Sequence, residues 1–78
     1  MKHISTMYIV AKWLQNHEKS YIHELKRHCK ANNPMQRISL LRRIYGWEIA
    51  TIYEGMKGRV PVYHYKVVKE GKMPKQFL

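Results

Sequence analysis

Side chains that can recognise nucleic acid are concentrated in one stretch of the chain, residues 33–46. Gln36 and Arg43 are side-chain types that form paired hydrogen bonds with an adenine edge and a guanine edge in a major groove. In a helix, Ser39 and Leu40 share their outward face, and Leu40 can contact either a thymine methyl group or a protein. The alternatives are a helix cap for Gln36, and a phosphate contact or a solvated cation for Arg43.

Further cations surround this stretch. Arg37 and Arg42 flank the face expected to be buried, which makes them candidates for phosphate contact or for bracing a following hairpin. Lys57 and Arg59 lie beside glycines and suit a phosphate or a narrow minor groove, although exposed hairpin tips are also basic for solubility. Three more cations precede the stretch and are expected to face a nucleic-acid backbone: Lys26, Arg27 and Lys30.

The charge balance of the whole chain points to a polyanionic partner. Fifteen Lys and Arg face five acidic residues, all of them Glu, and the net charge is +10. Residues 25–47 contain no acidic side chain. With 78 residues, of which 45% are hydrophobic, the chain is expected to form one small folded domain rather than a disordered basic tail. This composition favours a partner that carries phosphates.

Catalytic and metal-binding chemistry is not indicated by the residue pattern. The Glu residues are scattered, no Asp is present, and no glycine-rich phosphate loop occurs. His23, His28 and Cys29 do not have the paired ligand spacing of a zinc site. We therefore expect a protein that is not an enzyme and that binds neither metal nor cofactor.

The apolar residues of the first segment are interrupted at Lys12, and no apolar run approaches the roughly 18 residues that a membrane span requires. Cys29, as the single cysteine, has no internal disulfide partner. Together these features predict a cytoplasmic protein without a membrane partner.

Two helices are expected before the basic stretch. The first is capped by Ser5 and runs to about residue 17, and the second is capped by Ser20 and runs from residue 21 to about residue 30. Asn32, in the connection that follows, tolerates positive φ. The stripes expected to face the core are Met7, Val10, Ala11 and Leu14 in the first helix and Ile22, Leu25 and Cys29 in the second.

The basic stretch itself has the signals of a third helix. Asn33 is a good cap, Pro34 fits the first helical position, and Gln36 can reach back as in a capping box. Gly46 suits the left-handed conformation that closes a helix. The expected buried stripe is Ile38, Leu41 and Tyr45.

After Gly46 the hydrophobic period changes from about 3.6 to 2, which indicates strands. A strand from residue 47 is expected to lead into a turn at residues 54–58, with a second strand over residues 59–68. Residues 69–78 are basic and show no period, so we expect a mobile tail after a domain of residues 1–68.

Three helices followed by a two-stranded antiparallel hairpin make an α+β winged helix-turn-helix. Arg37-Ile38-Ser39, Leu41-Arg42 and Gly46-Trp47-Glu48-Ile49 resemble the signature of small winged-helix domains common in phage and prophage proteins. Gly58-Arg59 and Tyr63-His64-Tyr65 resemble the return strand of the wing in the same group.

The resemblance implies a DNA-binding protein whose third helix enters the major groove and whose wing touches the backbone or the minor groove. It also implies a role as a transcriptional regulator or as an accessory factor in recombination or replication. Such a protein acts in the cytoplasm of a bacterial host cell, at the nucleoid when it is bound to DNA.

A competing interpretation is a small protein-interaction module that uses the same fold to bind a host or phage protein. Tyr8, Trp13 and Leu40 are the apolar anchors that it requires. The sequence also leaves a homodimer open, because many helix-turn-helix proteins read two half-sites through two-fold symmetry.

Overall fold

The computed structural model describes residues 3–77, which form three helices followed by a two-stranded antiparallel hairpin. This α+β winged helix layout confirms the predicted fold class. The elements are α1 (Thr6–Asn16), α2 (Ile22–His28), α3 (Pro34–Arg43), β1 (Glu48–Lys57) and β2 (Val60–Lys69). Met1 and Lys2 of the predicted domain and Leu78 of the predicted tail lie outside the described residues. None of the helices in residues 3–77 combines the length and the apolar surface that a membrane crossing requires.

The core lies where one stripe of each helix meets the base of the hairpin. Trp47, Ile49 and Tyr65 close it from the hairpin side. The helical side chains that are at most 2% exposed are Val10, Ala11, Leu14, Leu25, Pro34, Ile38 and Leu41. Most of the predicted stripe residues are therefore confirmed as buried, whereas Met7, Ile22 and Tyr45 are partly buried and pack against the core. Burial of these apolar groups is the main force that assembles the domain.

The boundaries of α3 follow from its sequence signals. The Asn33 side chain accepts a hydrogen bond from the Gln36 backbone N–H at 3.3 Å, and Pro34 occupies the first turn. The regular helix ends at Arg43, three residues before Gly46, which has the predicted positive φ of 74°. The Trp47 N–H then donates to the carbonyl of Leu41 at 3.0 Å and closes the end of the helix.

The start and end of α2 differ from the prediction. Ser20 does not cap this helix; it is fully buried, and its backbone N–H and C=O bond to Tyr65 at 3.0 and 2.8 Å as an isolated antiparallel bridge. The Glu24 carboxylate instead accepts from the Tyr21 N–H at 3.3 Å. The helix ends at His28 because Lys30, rather than Asn32, adopts positive φ, at 52°.

The hairpin is longer and its turn tighter than the sequence suggested. The predicted five-residue turn at 54–58 is wrong, because Lys57 pairs with Val60 and only Gly58 and Arg59 connect the strands. Gly58 has φ of 64°, as the first position of a type II′ turn requires. The other glycine, Gly55, lies in a register shift of β1. We call the end of the hairpin, residues 56–61, the wing tip.

The segment after β2, predicted to be a mobile tail, instead lies against the helices. Its backbone bonds to the helical body at two places, from the Lys72 N–H to the carbonyl of Tyr45 and from the Ser5 N–H to the carbonyl of Gln76, both at 2.8 Å. The indole Nε1 of Trp47 donates to the carbonyl of Lys72 at 2.7 Å. The chain thus folds back from the hairpin across the ends of α3 and α1.

Gly71 shows how closely this segment approaches. A Cβ atom at position 71 would overlap the carbonyl oxygen of Tyr45 and would lie 2.7 Å from the carbonyl carbon of Gly46. Because backbone lies on the other side of this contact, no side chain can move away to relieve it. Only glycine fits here, and its position fixes the path of the segment.

Candidate nucleic-acid interface

The outward face of α3 presents the predicted base-reading side chains. Burial of Ile38 and Leu41 turns the opposite side of the helix to solvent, where Gln36 and Arg43 are exposed. The side chain of Gln36 forms no hydrogen bond within residues 3–77, so the proposed capping box is absent and its amide is free. Ser39 and Leu40 are partly buried on this face. On this face of α3, the long polar side chains of Gln36 and Arg43 are therefore exposed, with the partly buried Ser39 and Leu40 between them.

Arg42 braces the hairpin. Its Nε and Nη2 atoms donate to the carbonyl of Ile49 at 3.0 and 2.6 Å, and Nη2 also donates to Oγ1 of Thr51 at 3.0 Å. The guanidinium carbon lies 6.0 Å from the centre of the Tyr65 ring. Of the two roles considered for this residue, these contacts support the bracing role.

Arg37 is in a different position from Arg42. It is partly buried beside Ile38, and its Nε is enclosed without a hydrogen-bond partner among the described residues. A buried donor that lacks an acceptor is unfavourable by about 1 to 3 kcal/mol. Because this Nε is enclosed, a phosphate arriving from solvent would have to bind the other donors of the Arg37 guanidinium.

Cations from α2 and from the wing tip lie near each other although they are far apart in sequence. Lys26 and Lys57 line the same cleft, between the start of α2 and the hairpin. Arg27 and Lys30 are exposed at the other end of α2, and Arg59 is exposed in the turn. The fold thus brings one cation of α2 and one of the wing tip to the same cleft. We call these five residues, with Gln36, Arg37, Ser39, Leu40 and Arg43, the basic surface.

A polar network that the sequence analysis missed connects α2 to the hairpin. The Nδ1 of His64, a residue only 5% exposed, lies 2.6 Å from Oε2 of Glu54. A hydrogen bond with the Glu54 carboxylate raises the pKa of the Tyr21 hydroxyl. The same bond, followed by the one with His64, lowers the pKa of Glu54. The Tyr21 ring lies beside His64 on the hairpin, with ring centres 5.8 Å apart.

The sequence contained a weak signal for this network. Ile52 pairs with His64, and the register shift between Tyr53 and Gly55 is a bulge, a feature that re-aims side chains. Gly55, with φ of 122°, marks that bulge. Had this glycine been assigned to a bulge rather than to a turn, Glu54 would have been placed beside His64.

The apolar anchors of the competing interpretation are partly covered. Trp13 stacks on His17, with ring centres 3.7 Å apart, and on His28 at 5.0 Å. The ammonium group of Lys12 lies 5.9 Å from the centre of the Tyr8 ring. Of the three anchors, only Leu40 lies on the basic surface.

The remaining reactive groups do not form a metal centre in the part of the chain that the structure describes. Within residues 3–77, no three His, Cys, Asp or Glu side chains come together as a ligand set. Cys29 is 3% exposed, and burial raises the pKa of its thiol. This cysteine packs as a small apolar group of the core.

Of the predicted site residues, Arg42 alone is committed to an internal contact through its side chain, and the others lie on the basic surface. Comparison of the chain with protein-family models, with curated proteins and with solved structures found no match. Charge, exposure and the placement of elements therefore define this surface.

Proposed function

We propose that the protein binds double-stranded DNA through the basic surface. The observation that carries this proposal is positive charge without internal neutralisation. Among residues 3–77, the only ion pair joins His64 and Glu54, so no Lys or Arg side chain there is paired with a Glu. A net charge of +10 left in this way attracts a polyanion and releases counterions when phosphates replace them.

The winged helix layout supports a division of roles on the basic surface. Gln36 and Arg43 on α3 read base edges in the major groove, with Ser39 and Leu40 between them close to the groove floor. Arg37 and the cations of α2 hold phosphates, and Lys57 and Arg59 reach the neighbouring backbone or minor groove. Arg42 sets the angle between α3 and the hairpin, which determines whether both can engage one duplex.

Together with the resemblance to phage and prophage winged-helix domains, a DNA partner suggests a protein of the bacterial cytoplasm that acts as a regulator of transcription or as an accessory factor in recombination or replication. Fluorescence anisotropy with labelled duplex DNA at low salt tests the proposal directly. Binding is expected for duplexes of any sequence, with one preferred site emerging from selection on random duplexes. Absence of binding at low salt would overturn it.

A second candidate function is binding of a host or phage protein, or of a second copy of the chain. The observation in its favour is a group of apolar side chains that remain exposed on the hairpin: Tyr53, Met56, Val60 and Tyr63. Exposed apolar patches of this kind often mark contact sites. Light scattering with and without DNA distinguishes a dimer from a monomer that uses this patch for DNA.

A further inference from the structure

A cleft of about 480 Å³ lies between the start of α2 and the wing tip, and the roles assigned above do not account for its shape. Tyr21 stands on the α2 side, and Val60, Pro61 and Tyr63 stand on the hairpin side. Its walls are therefore apolar and aromatic, in a protein whose surface is otherwise strongly basic. A ligand with one flat apolar part would fill it.

The walls are held in place before any ligand arrives. The Tyr21 ring packs beside the His64 ring, with ring centres 5.8 Å apart. On the other side, Tyr63 packs edge to face on Tyr53, with ring centres 5.3 Å apart. Tyr63 is nevertheless 42% exposed. Rings that are fixed and still open to solvent lose little conformational freedom when a second flat group packs on them.

The charges at the cleft determine the kind of ligand. Lys26 and Lys57 line it from opposite elements, and neither is paired with a carboxylate in the described chain. Aromatic walls flanked by free cations suit a nucleobase that carries a phosphodiester on each side. A base inside a duplex has both faces covered by its neighbours, so only an unpaired base can enter.

We propose that this cleft binds an unpaired nucleotide of a DNA strand, with its base against Tyr63 and its phosphates near Lys26 and Lys57. This inference rests on the proposed DNA binding and specifies the DNA: a duplex with a bulged, flipped or frayed nucleotide next to the wing. The remainder of the basic surface holds the adjoining paired region. The cleft therefore adds a preference for an unpaired nucleotide to the duplex binding of the basic surface, and the two properties can be measured separately.

The test compares a perfect duplex with the same duplex carrying one bulged 2-aminopurine. Anisotropy gives the two affinities, and 2-aminopurine fluorescence reports stacking of the unpaired base. The protein should bind the bulged duplex about fivefold or more tightly than the perfect one, the lower end of what one base stacked on an aromatic ring contributes. The fluorescence should also be quenched upon binding.

Two variants provide a matched pair, because each breaks the Tyr53–Tyr63 contact but only Tyr63 lines the cleft. Tyr63→Leu should abolish the preference and the quenching while affinity for the perfect duplex stays within about twofold. Tyr53→Leu should retain both, which also controls for any loosening of the hairpin.

The outcomes separate this inference from the proposed function. Equal affinity of the native protein for the two duplexes, without quenching, would overturn the inference while salt-dependent duplex binding stands. Absence of binding to either DNA at low salt would remove both, and would leave an apolar segment of a protein as the occupant of the cleft.

Discussion

The guanidinium of Arg42 and the carbonyl oxygen of Ile49 are joined by two hydrogen bonds, from Nε at 3.0 Å and from Nη2 at 2.6 Å. Arg42, near the end of α3, thereby holds the start of β1, and its neighbour Arg43 faces solvent without such a contact. The two adjacent arginines therefore differ in role: Arg42 forms hydrogen bonds to the hairpin, and Arg43 forms none within the described chain. This contrast leads to two predictions.

Arg42→Ala should lower the free energy of unfolding by about 1 to 3 kcal/mol, because charge-assisted hydrogen bonds to a strand carbonyl are lost. Arg43→Ala should change it by less than about 0.5 kcal/mol, as expected for an exposed side chain without partners. Urea denaturation of both variants measures the difference. Equal stabilities would show that the bracing contact contributes nothing to the fold.

For recognition of a DNA sequence, Arg43 should be the more important of the two arginines. On a site selected from random duplexes, Arg43→Ala should weaken binding by about 1 to 3 kcal/mol and relax the preference at one base pair. On random duplex its effect should be small. Anisotropy on both duplexes provides the measurement, and equal losses on the two would reduce Arg43 to a phosphate contact.

Gly71→Ala should destabilise the protein by about 1 to 3 kcal/mol, since its Cβ must displace the backbone of Tyr45 and Gly46. Lys75→Ala, an exposed position in the same segment, is the control and should leave the melting temperature unchanged. Thermal unfolding followed by circular dichroism checks both variants. If Gly71→Ala melts like the native protein, the segment is not docked in solution.

Glu54 should make stability depend on acid pH. Its hydrogen bonds with Tyr21 and His64 lower its pKa below the ordinary 4.5, so the folded state binds protons less readily than the unfolded state. The contribution of Glu54 to the free energy of unfolding is complete above pH 4.5, and it declines as the pH falls through the lower pKa of Glu54 in the folded protein. Urea titrations at several pH values should therefore show a shallower acid decline for Glu54→Gln.

The matched control for this experiment is Glu48→Gln, because Glu48 is exposed and has no hydrogen bond through its side chain within residues 3–77. That variant should follow the native pH profile. If Glu54→Gln and the native protein lose stability with the same slope below pH 4.5, the network does not stabilise the fold through this carboxylate.

The helices could be predicted from the sequence because their signals are local. The spacing of Ile38 and Leu41 defines the buried face of α3, and Asn33 and Pro34 mark its start within a single turn. The face of α3 that contributes half of the basic surface follows from that register alone. The α+β order of elements was therefore predictable without knowledge of any long-range contact.

The features that were missed depend on residues far apart in the chain. Serine is a common residue at a helix cap, but the backbone N–H and C=O of Ser20 bond to Tyr65, a partner that no local sequence pattern reveals. Gly71 and Lys72 belong to a stretch without period, because backbone hydrogen bonds and close backbone approach leave no hydrophobic signature. The cleft was also missed for this reason, because Lys26 and Lys57 are far apart in the sequence and line the same cleft only in the folded protein.

The salt dependence of duplex binding tests the central claim most directly. For the native protein, log Kd should rise linearly with log salt concentration, with a slope of about 0.9 for each phosphate that the basic surface neutralises. Replacing Lys57 and Arg59 together with Ala should lower that slope by about two units, on specific and random duplex alike. The matched control replaces Lys12 and Lys66, exposed cations outside the basic surface, and should leave the slope unchanged. A flat salt response for the native protein, or an equal fall of the slope in both double variants, would contradict DNA binding through this surface.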